Sequence, residues 1–264
     1  MDPKQVVWIT GASSGIGEAL VRVYAESGYH IILSSRRREK LEVIRNTFDE
    51  AKRSRMAVLS LDLSENETLE DRCNEAINLF GHVDILINNG GISQRSLTTD
   101  TDIDVFRDLM EVNYFGNIAL TKYLLPHFLE RKKGQIVVVS SLVGKFGSPY
   151  RSGYAASKHA LHGFYDSLRA ELAGTNIHIT MVCPGFIRTN VSVNALTEDG
   201  TPLNQMDNAQ AKGMDPDVCA RKIARATRKK KREVYIGGKE IFGVYLKRFL
   251  PGLFASILPK AKVR

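Results

Sequence analysis

The chain is poor in the residues that staple or metallate small domains. It has three cysteines, Cys73, Cys183 and Cys219, in 264 residues. They are odd in number and far apart, with no CxxC and no Cys/His spacing. That argues against a disulfide framework and against a structural zinc site. Free buried thiols in a reducing, cytoplasm-facing compartment are the expectation. Apolar runs of about eighteen residues are also missing, so no segment reads as a membrane-spanning helix. The first apolar run, from Val6 to Thr10, begins almost at once. No basic stretch followed by a long apolar one precedes it, and we expect no targeting leader. Internal repeats and low-complexity linkers are lacking too. With 43% hydrophobic and 25% charged residues, the chain can bury a sizeable core, and its length suits one large domain, 1–264, better than two small ones.

The charge is unevenly placed. The formal net charge is +8, yet fourteen Lys/Arg and only Glu233 and Glu240 fall between Arg221 and Arg264. The remainder of the chain is therefore mildly acidic. A basic tail invites a nucleic-acid reading, but no zinc-finger, basic-zipper or RNA-recognition signature accompanies it. No nucleic-acid partner is expected.

Strand-like and helix-like segments alternate. Val6–Ile9, Ile31–Ser35, Ala57–Leu61, Asp84–Ile87, Ile136–Val139 and Ile177–Val182 are short and nearly continuously apolar. Such runs suit parallel strands covered on both faces. Between them, Ile16, Leu20, Val23 and Tyr24 recur at helical spacing. So do Leu41, Ile44 and Phe48, and Leu120, Leu124 and Phe128. The alternation predicts an α/β doubly wound parallel sheet of the Rossmann type, with three α/β/α layers in a single domain. The segment 189–214 is polar and long for a connection, which marks it as a substrate loop.

The first strand leads into Thr10-Gly11-Ala12-Ser13-Ser14-Gly15-Ile16-Gly17. Glycines allow a tight turn and close approach of the backbone to a pyrophosphate. The helix that follows offers free N–H groups and a positive dipole end. The second strand ends in Ser34-Ser35-Arg36. An NAD site would place an acid there for the ribose 2′-hydroxyl. A small serine and an arginine instead favour the 2′-phosphate of NADP(H). Asp62 and Leu63 follow the third strand, where Asp62 could accept a bond from adenine, although a helix cap explains it equally well. Asn88, Asn89 and Gly90 follow the fourth strand. Pro184, Gly185, Ile187 and Thr189 follow the sixth, with Thr189 placed to reach a nicotinamide carboxamide.

Tyr154 and Lys158 are four residues apart on a helical stretch, so phenol and ammonium share one face. A nearby ammonium favours the phenolate and would tune Tyr154 as a proton donor. Ser141, at the end of the fifth strand, could hold a substrate oxygen or simply cap a turn. Asn113 in a helix suggests a water- or backbone-bonding amide, or a satisfied core one. His159 and His162 have no acidic or cysteine partner at ligand spacing, and no metal is expected. Gly-x-Ser-x-Gly is absent around Ser141, which excludes a hydrolase elbow.

Taken in order, these segments resemble the short-chain dehydrogenase/reductase family from Val6 to about Thr189. The resemblance implies an NADP(H)-dependent enzyme acting on CH–OH donors, with Asn113, Ser141, Tyr154 and Lys158 as its tetrad. Lys158 and Tyr154 would also contact the nicotinamide ribose, and a homo-oligomer, dimer or tetramer, is implied. Asn88-Asn89-Gly90-Gly91 departs from the family's usual Asn-Asn-Ala-Gly. Tyr114-Phe115-Gly116, Tyr150-Arg151-Ser152, 190–195 and Pro251-Gly252-Leu253-Phe254 look like the dehydrogenase/reductase member 7B branch, which implies a lipid-like ketone. The expected function is carbonyl reduction by hydride transfer. The alternative is a non-catalytic NADPH-binding sensor on the same fold. In the tail, 239–264, Phe242, Tyr245, Leu246, Phe249, Leu253, Phe254 and Ile257 recur at near-helical spacing between basic flanks, with a break at Pro251. Three outcomes are open: packing on the protein's own core, packing at a subunit contact, or a cover over the substrate entrance that touches an anionic membrane surface.

Overall fold

The computed structural model describes residues 5–260. Seven parallel strands form one sheet: β1 (Val6–Thr10), β2 (His30–Ser34), β3 (Met56–Val58), β4 (Ile85–Asn88), β5 (Gly134–Val139), β6 (Ile177–Pro184) and β7 (Glu233–Ile236). Their order is β3-β2-β1-β4-β5-β6-β7. The chain moves outward from β1 in one direction, then returns to place β4 on its other side. Residues after β1 and β4 therefore face a crevice at the carboxyl edge, where open α/β sheets take ligands.

Two apolar layers close the sheet. Alternate residues of β1 point to opposite faces. Val7 and Ile9 join one cluster, and Val6 and Trp8 join the other. The first layer is made by α1 (Gly15–Glu26) and α2 (Arg38–Asn46), with a short α3 (Glu50–Arg53) beside them. The second is made by α4 (Leu69–Phe80), α5 (Ile103–Met110), α6 (Gly116–Glu130) and α7 (Ser152–Glu171). Leu120, Leu124 and Phe128 are fully buried there, as their spacing predicts. A short α8 (Asn208–Ala211) precedes α9 (Pro216–Arg228), which packs on α1. The doubly wound Rossmann-type sheet expected from the alternation is thus present.

β7 is a strand the apolar pattern did not reveal. It pairs with β6 from Met181↔Glu233 to Pro184↔Ile236. Only Ile236 in it is fully buried. After it come α10 (Phe242–Phe249) and α11 (Pro251–Ile257), broken at Leu250 as the proline requires. Residues 261–264, with Lys262 and Arg264 of the expected basic flank, lie outside the described residues.

Candidate active site

The glycine loop is built from β1 outward. Gly11 and Gly15 hold φ of +64° and +57°, a region that side chains strain to enter. A Cβ on Gly15 would also press on the Thr189 side chain at 2.9 Å. Gly17 packs against the Gly11 carbonyl, where any side chain would collide. Asn89 secures this turn: its Nδ2 donates to the carbonyls of Thr10 at 2.9 Å and Gly11 at 3.4 Å. Thr10 Oγ1 accepts from the Gly90 amide at 2.9 Å.

A cleft of about 880 Å³ opens above this loop. Gly11, Ser13, Ser14, Gly15, Ile16, Ser35, Arg36, Asp62, Leu63, Asn89 and Gly90 line one part of it. Ser141, Tyr154, Lys158, Pro184, Gly185, Ile187 and Thr189 line another. Residues far apart in sequence are thereby brought into one volume. A nucleotide fits the first part. The loop leaves no room for side chains, and Ser35 Oγ is buried without a hydrogen-bond partner. Asp62 accepts from Ser64 N at 3.0 Å and Ser64 Oγ at 2.7 Å, so it closes a turn rather than capping a helix; Thr68 stands at the start of α4.

Two expected site residues point elsewhere. Asn88 is buried and donates to Thr121 Oγ1 at 2.9 Å and Tyr165 Oη at 3.0 Å. It braces β4 against α6 and α7 rather than lining the cleft. Asn113 sits in a π-helical turn, Glu111–Phe115, between α5 and α6. Its side chain accepts from Ile92 N at 2.8 Å and donates to Ile92 O at 2.9 Å and Ser157 Oγ at 3.0 Å. The backbone-bonding and core-amide readings both describe it. It fixes the loop after β4 to the middle of α7.

Tyr154 and Lys158 occupy the first turns of α7, and Ser141 caps the short turn Leu142–Gly144 that follows β5. The Ser141 hydroxyl lies close enough to the Tyr154 phenol to ease its ionisation, while it donates to Pro184 O at 3.4 Å and accepts weakly from Val143 N at 3.3 Å. Lys158 Nζ lies 5.8 Å from the Tyr154 ring centre and donates to Val139 O at 3.0 Å. Burial disfavours its charge and draws it down to about 8. Burial likewise raises the Tyr154 phenol. Arg151, the bond with Ser141 and then Arg95 oppose that rise.

Sequence reasoning missed the groups that hold α7 in place. Gln94, fully buried, accepts from the amides of Gly153 at 2.8 Å and Tyr154 at 3.3 Å. It satisfies donors that a helix start leaves open. Tyr150, at the turn into α7, holds a φ of +65°, a conformation worth about 1–2 kcal/mol of strain. The loop 189–214 folds over the site and is zipped to the segment after β4. Arg95 N bonds Leu196 O and Leu196 N bonds Ser93 O, both at 2.8 Å. Beneath this zipper, Arg95 Nε donates to Asp207 at 2.7 Å. No local pattern singles out Gln94, Arg95 or Asp207.

The fold also gathers His162, Cys183 and Glu233, with ligand-type atoms within 4.8 Å of one another. Sequence spacing had offered His162 no such partners. Lys145 Nζ lies 2.6 Å from Glu233 and Ser140 Oγ 3.2 Å from His162 Nε2. Burial and Lys145 push the His162 imidazole down to about 4. The group is a neutral histidine beside a paired carboxylate.

The chain is similar to known proteins over most of its length. Residues 5–200 match the family model described as short chain dehydrogenase. A dehydrogenase/reductase SDR family member 7B from Danio rerio is 40% identical over 96% of this chain and 84% of its own length. An alcohol dehydrogenase from Thermococcus sibiricus, solved with 5-hydroxy-NADP, superposes with a TM-score of 0.73 at 26% identity, covering 89% of this chain and 97% of that one. A Burkholderia phymatum short-chain dehydrogenase/reductase in complex with NAD shares the fold, with a TM-score of 0.83 at 21% identity, over 95% of each chain. The chain belongs to the short-chain dehydrogenase/reductase family of oxidoreductases.

Proposed function

We propose that the protein reduces a ketone to an alcohol with NADPH, Tyr154 acting as general acid. The observation that carries this reading is that Ser141, Tyr154 and Lys158 line the same cleft as the glycine loop, with Ser141 near enough to Tyr154 to ease its ionisation. A carbonyl oxygen between them accepts two hydrogen bonds as its negative charge develops. A bound reduced nicotinamide supplies the hydride. Tyr154 then gives its proton to the new alkoxide, and Lys158 binds the nicotinamide ribose. Ser35 and Arg36 support NADPH, because Arg36 lines the cleft and has no acidic partner among the described residues. Leu142, Val143, Phe146, Phe186, Val191 and Leu196 give the rest of the cleft an apolar wall suited to a lipid-like chain.

Tyr154→Phe tests the assignment. It keeps the ring and removes the proton, so turnover falls by roughly 10²–10⁴ while cofactor binding persists. A folded variant with near-normal turnover refutes it. If the native protein consumes no NADPH with a panel of ketones and quinones, the sensor reading takes its place.

We also infer that the tail contacts an anionic membrane surface. Its inner face packs on the protein, with Phe254 against Phe146 at 5.3 Å and Tyr245 against Tyr235 at 6.0 Å. Its outer face leaves Phe242, Phe249, Leu250 and Leu253 more than half exposed, beside Lys247 and Arg248. Leu258 lines the cleft, so this face adjoins the substrate entrance. Among the described residues no helix is long and apolar enough to cross a membrane, and the contact is peripheral. Self-association is proposed through α5 and the turn after it, where Ile103 and Phe115 are exposed. A monomer in sedimentation refutes that.

A further inference from the structure

Two guanidinium groups are buried beside the catalytic tyrosine, and the mechanism above uses neither. Arg151 is 7% exposed and Arg95 2%. Asp207 is the buried carboxylate between them. It bonds Arg95 and lies 3.6 Å from Arg151 Nη2. Two cations on one anion leave net positive charge in the cleft wall. Arg151 Nε and Nη2 have no hydrogen-bond partner, and its Cζ stands 5.6 Å over the Phe186 ring. Burying a charge so poorly paired is costly, and such a feature persists where it serves something. Arg151 opens the turn that carries Tyr154, three residues on. Its own charge is disfavoured by burial and by Arg95, to about 10, yet it remains a cation at neutral pH.

We propose that Arg151, backed by Arg95 and held by Asp207, is a positioning residue for proton transfer, its guanidinium stabilising the phenolate that Tyr154 becomes. The inference rests on the reading of Tyr154 as proton donor. In that step the Tyr154 O–H bond breaks and the proton joins the substrate alkoxide. Negative charge moves from substrate oxygen to phenolate, and the tyrosine gains no electrons. The phenolate then lies in the field of Arg151, with the Ser141 hydroxyl and Arg95 adding to it. The other groups around it are accounted for. Lys158, from the next turn of α7, donates a hydrogen bond to Val139 O and keeps its charge, adding to the positive field. Cys183 of β6 faces Lys158 as a neutral thiol raised by burial. Asp108 of α5 and Glu240 after β7 also line the cleft, and Glu240 accepts from Phe186 N at 3.3 Å.

The test needs no substrate. Tyrosinate absorbance is titrated with pH in the full chain, in Arg151→Gln and in Arg151→Lys, each with and without Tyr154→Phe, so that the difference isolates Tyr154. The Tyr154 midpoint is expected to rise by about one pH unit in Arg151→Gln and by less in Arg151→Lys. With a ketone/alcohol pair that the enzyme turns over, the acid limb of alcohol oxidation, where Tyr154 must be deprotonated to act as base, moves up in parallel. An unmoved midpoint in folded Arg151→Gln overturns the proposal, as do equal shifts in the Gln and Lys variants. A merely structural role would lower thermal stability or kcat and leave the midpoint in place. Should Arg151→Gln fail to fold, Arg95→Gln replaces it, with a smaller shift in the same direction expected and none refuting. If the midpoint moves but Tyr154→Phe retains turnover, the electrostatics hold and the proton-donor reading fails.

Discussion

Replacing Asp207 with Asn keeps the shape of the side chain and removes a buried carboxylate shared by Arg95 and Arg151. The pair Arg95–Asp207 is deeply buried, with side-chain exposures of 2% and 3% and an N–O distance of 2.7 Å. In the variant, two buried cations lose the carboxylate that lies between them. Removing one partner of a buried pair costs about 3–5 kcal/mol, because the charge left behind cannot regain its hydration. For a chain of this size each kcal/mol corresponds to about 2–4 °C, so the melting temperature should fall by roughly 10 °C. The loss should also be local. Asp207 belongs to the loop over the site, and Ser93 and Arg95 are tied to Leu196 in that loop. Trypsin should therefore cut Asp207→Asn first near Arg188 or Lys212, before global unfolding. Thermal scanning by circular dichroism and timed proteolysis read the two effects. A variant within about 1 kcal/mol of the parent, as for an ordinary surface change, would refute the reasoning. It would mean that water reaches the guanidinium groups.

Two further outcomes are expected. Arg36→Ser should weaken NADPH by roughly ten- to a hundredfold and leave NADH nearly unaffected, read by calorimetric titration; equal affinities for the two cofactors in the parent would show that Arg36 does not meet a 2′-phosphate. Full-length protein should float with anionic vesicles at low salt and not with neutral ones, since each basic residue at such a surface adds about 1 kcal/mol; soluble protein in both cases rules out the membrane contact. A chain ending at Gly238 loses the Phe146–Phe254 contact as well, so its stability is measured beside its flotation.

Much of the fold was legible because parallel strands buried on both faces leave continuous apolar runs. β1, β2, β4, β5 and β6 all showed this pattern. β3 is Met56–Val58, beginning one residue earlier than its run and shorter, although the amides of Leu59 and Leu61 still donate to Leu33 O and Ser35 O. β7 was hidden for the complementary reason. It is an edge strand in a basic segment, it is four residues long, and its polar Glu233 serves Lys145. Asn88 illustrates the limit of motif reading. Its place after β4 suggested a ligand contact, but an alternating strand turns that one side chain toward α6 and α7. Its neighbour Asn89 faces the glycine loop.

The sequence by itself determined the alternation of elements, the glycine turn after β1, the shared helix face of Tyr154 and Lys158, and the family. These are local or evenly spaced features, written into periods of two and 3.6 residues and into where glycine stands. The tertiary structure alone decided which charges surround the tyrosine. Arg95, Arg151 and Asp207 lie up to 112 positions apart. No local propensity links them; they meet because the loop after β4 and the loop after β6 emerge side by side from the same edge of the sheet, over the start of α7. Spacing alone cast Lys158 as the partner that tunes Tyr154. Burial draws that ammonium down to about 8 and one of its N–H groups donates to Val139 O, while the tertiary structure adds Arg151 and Arg95 to the charges around the phenol.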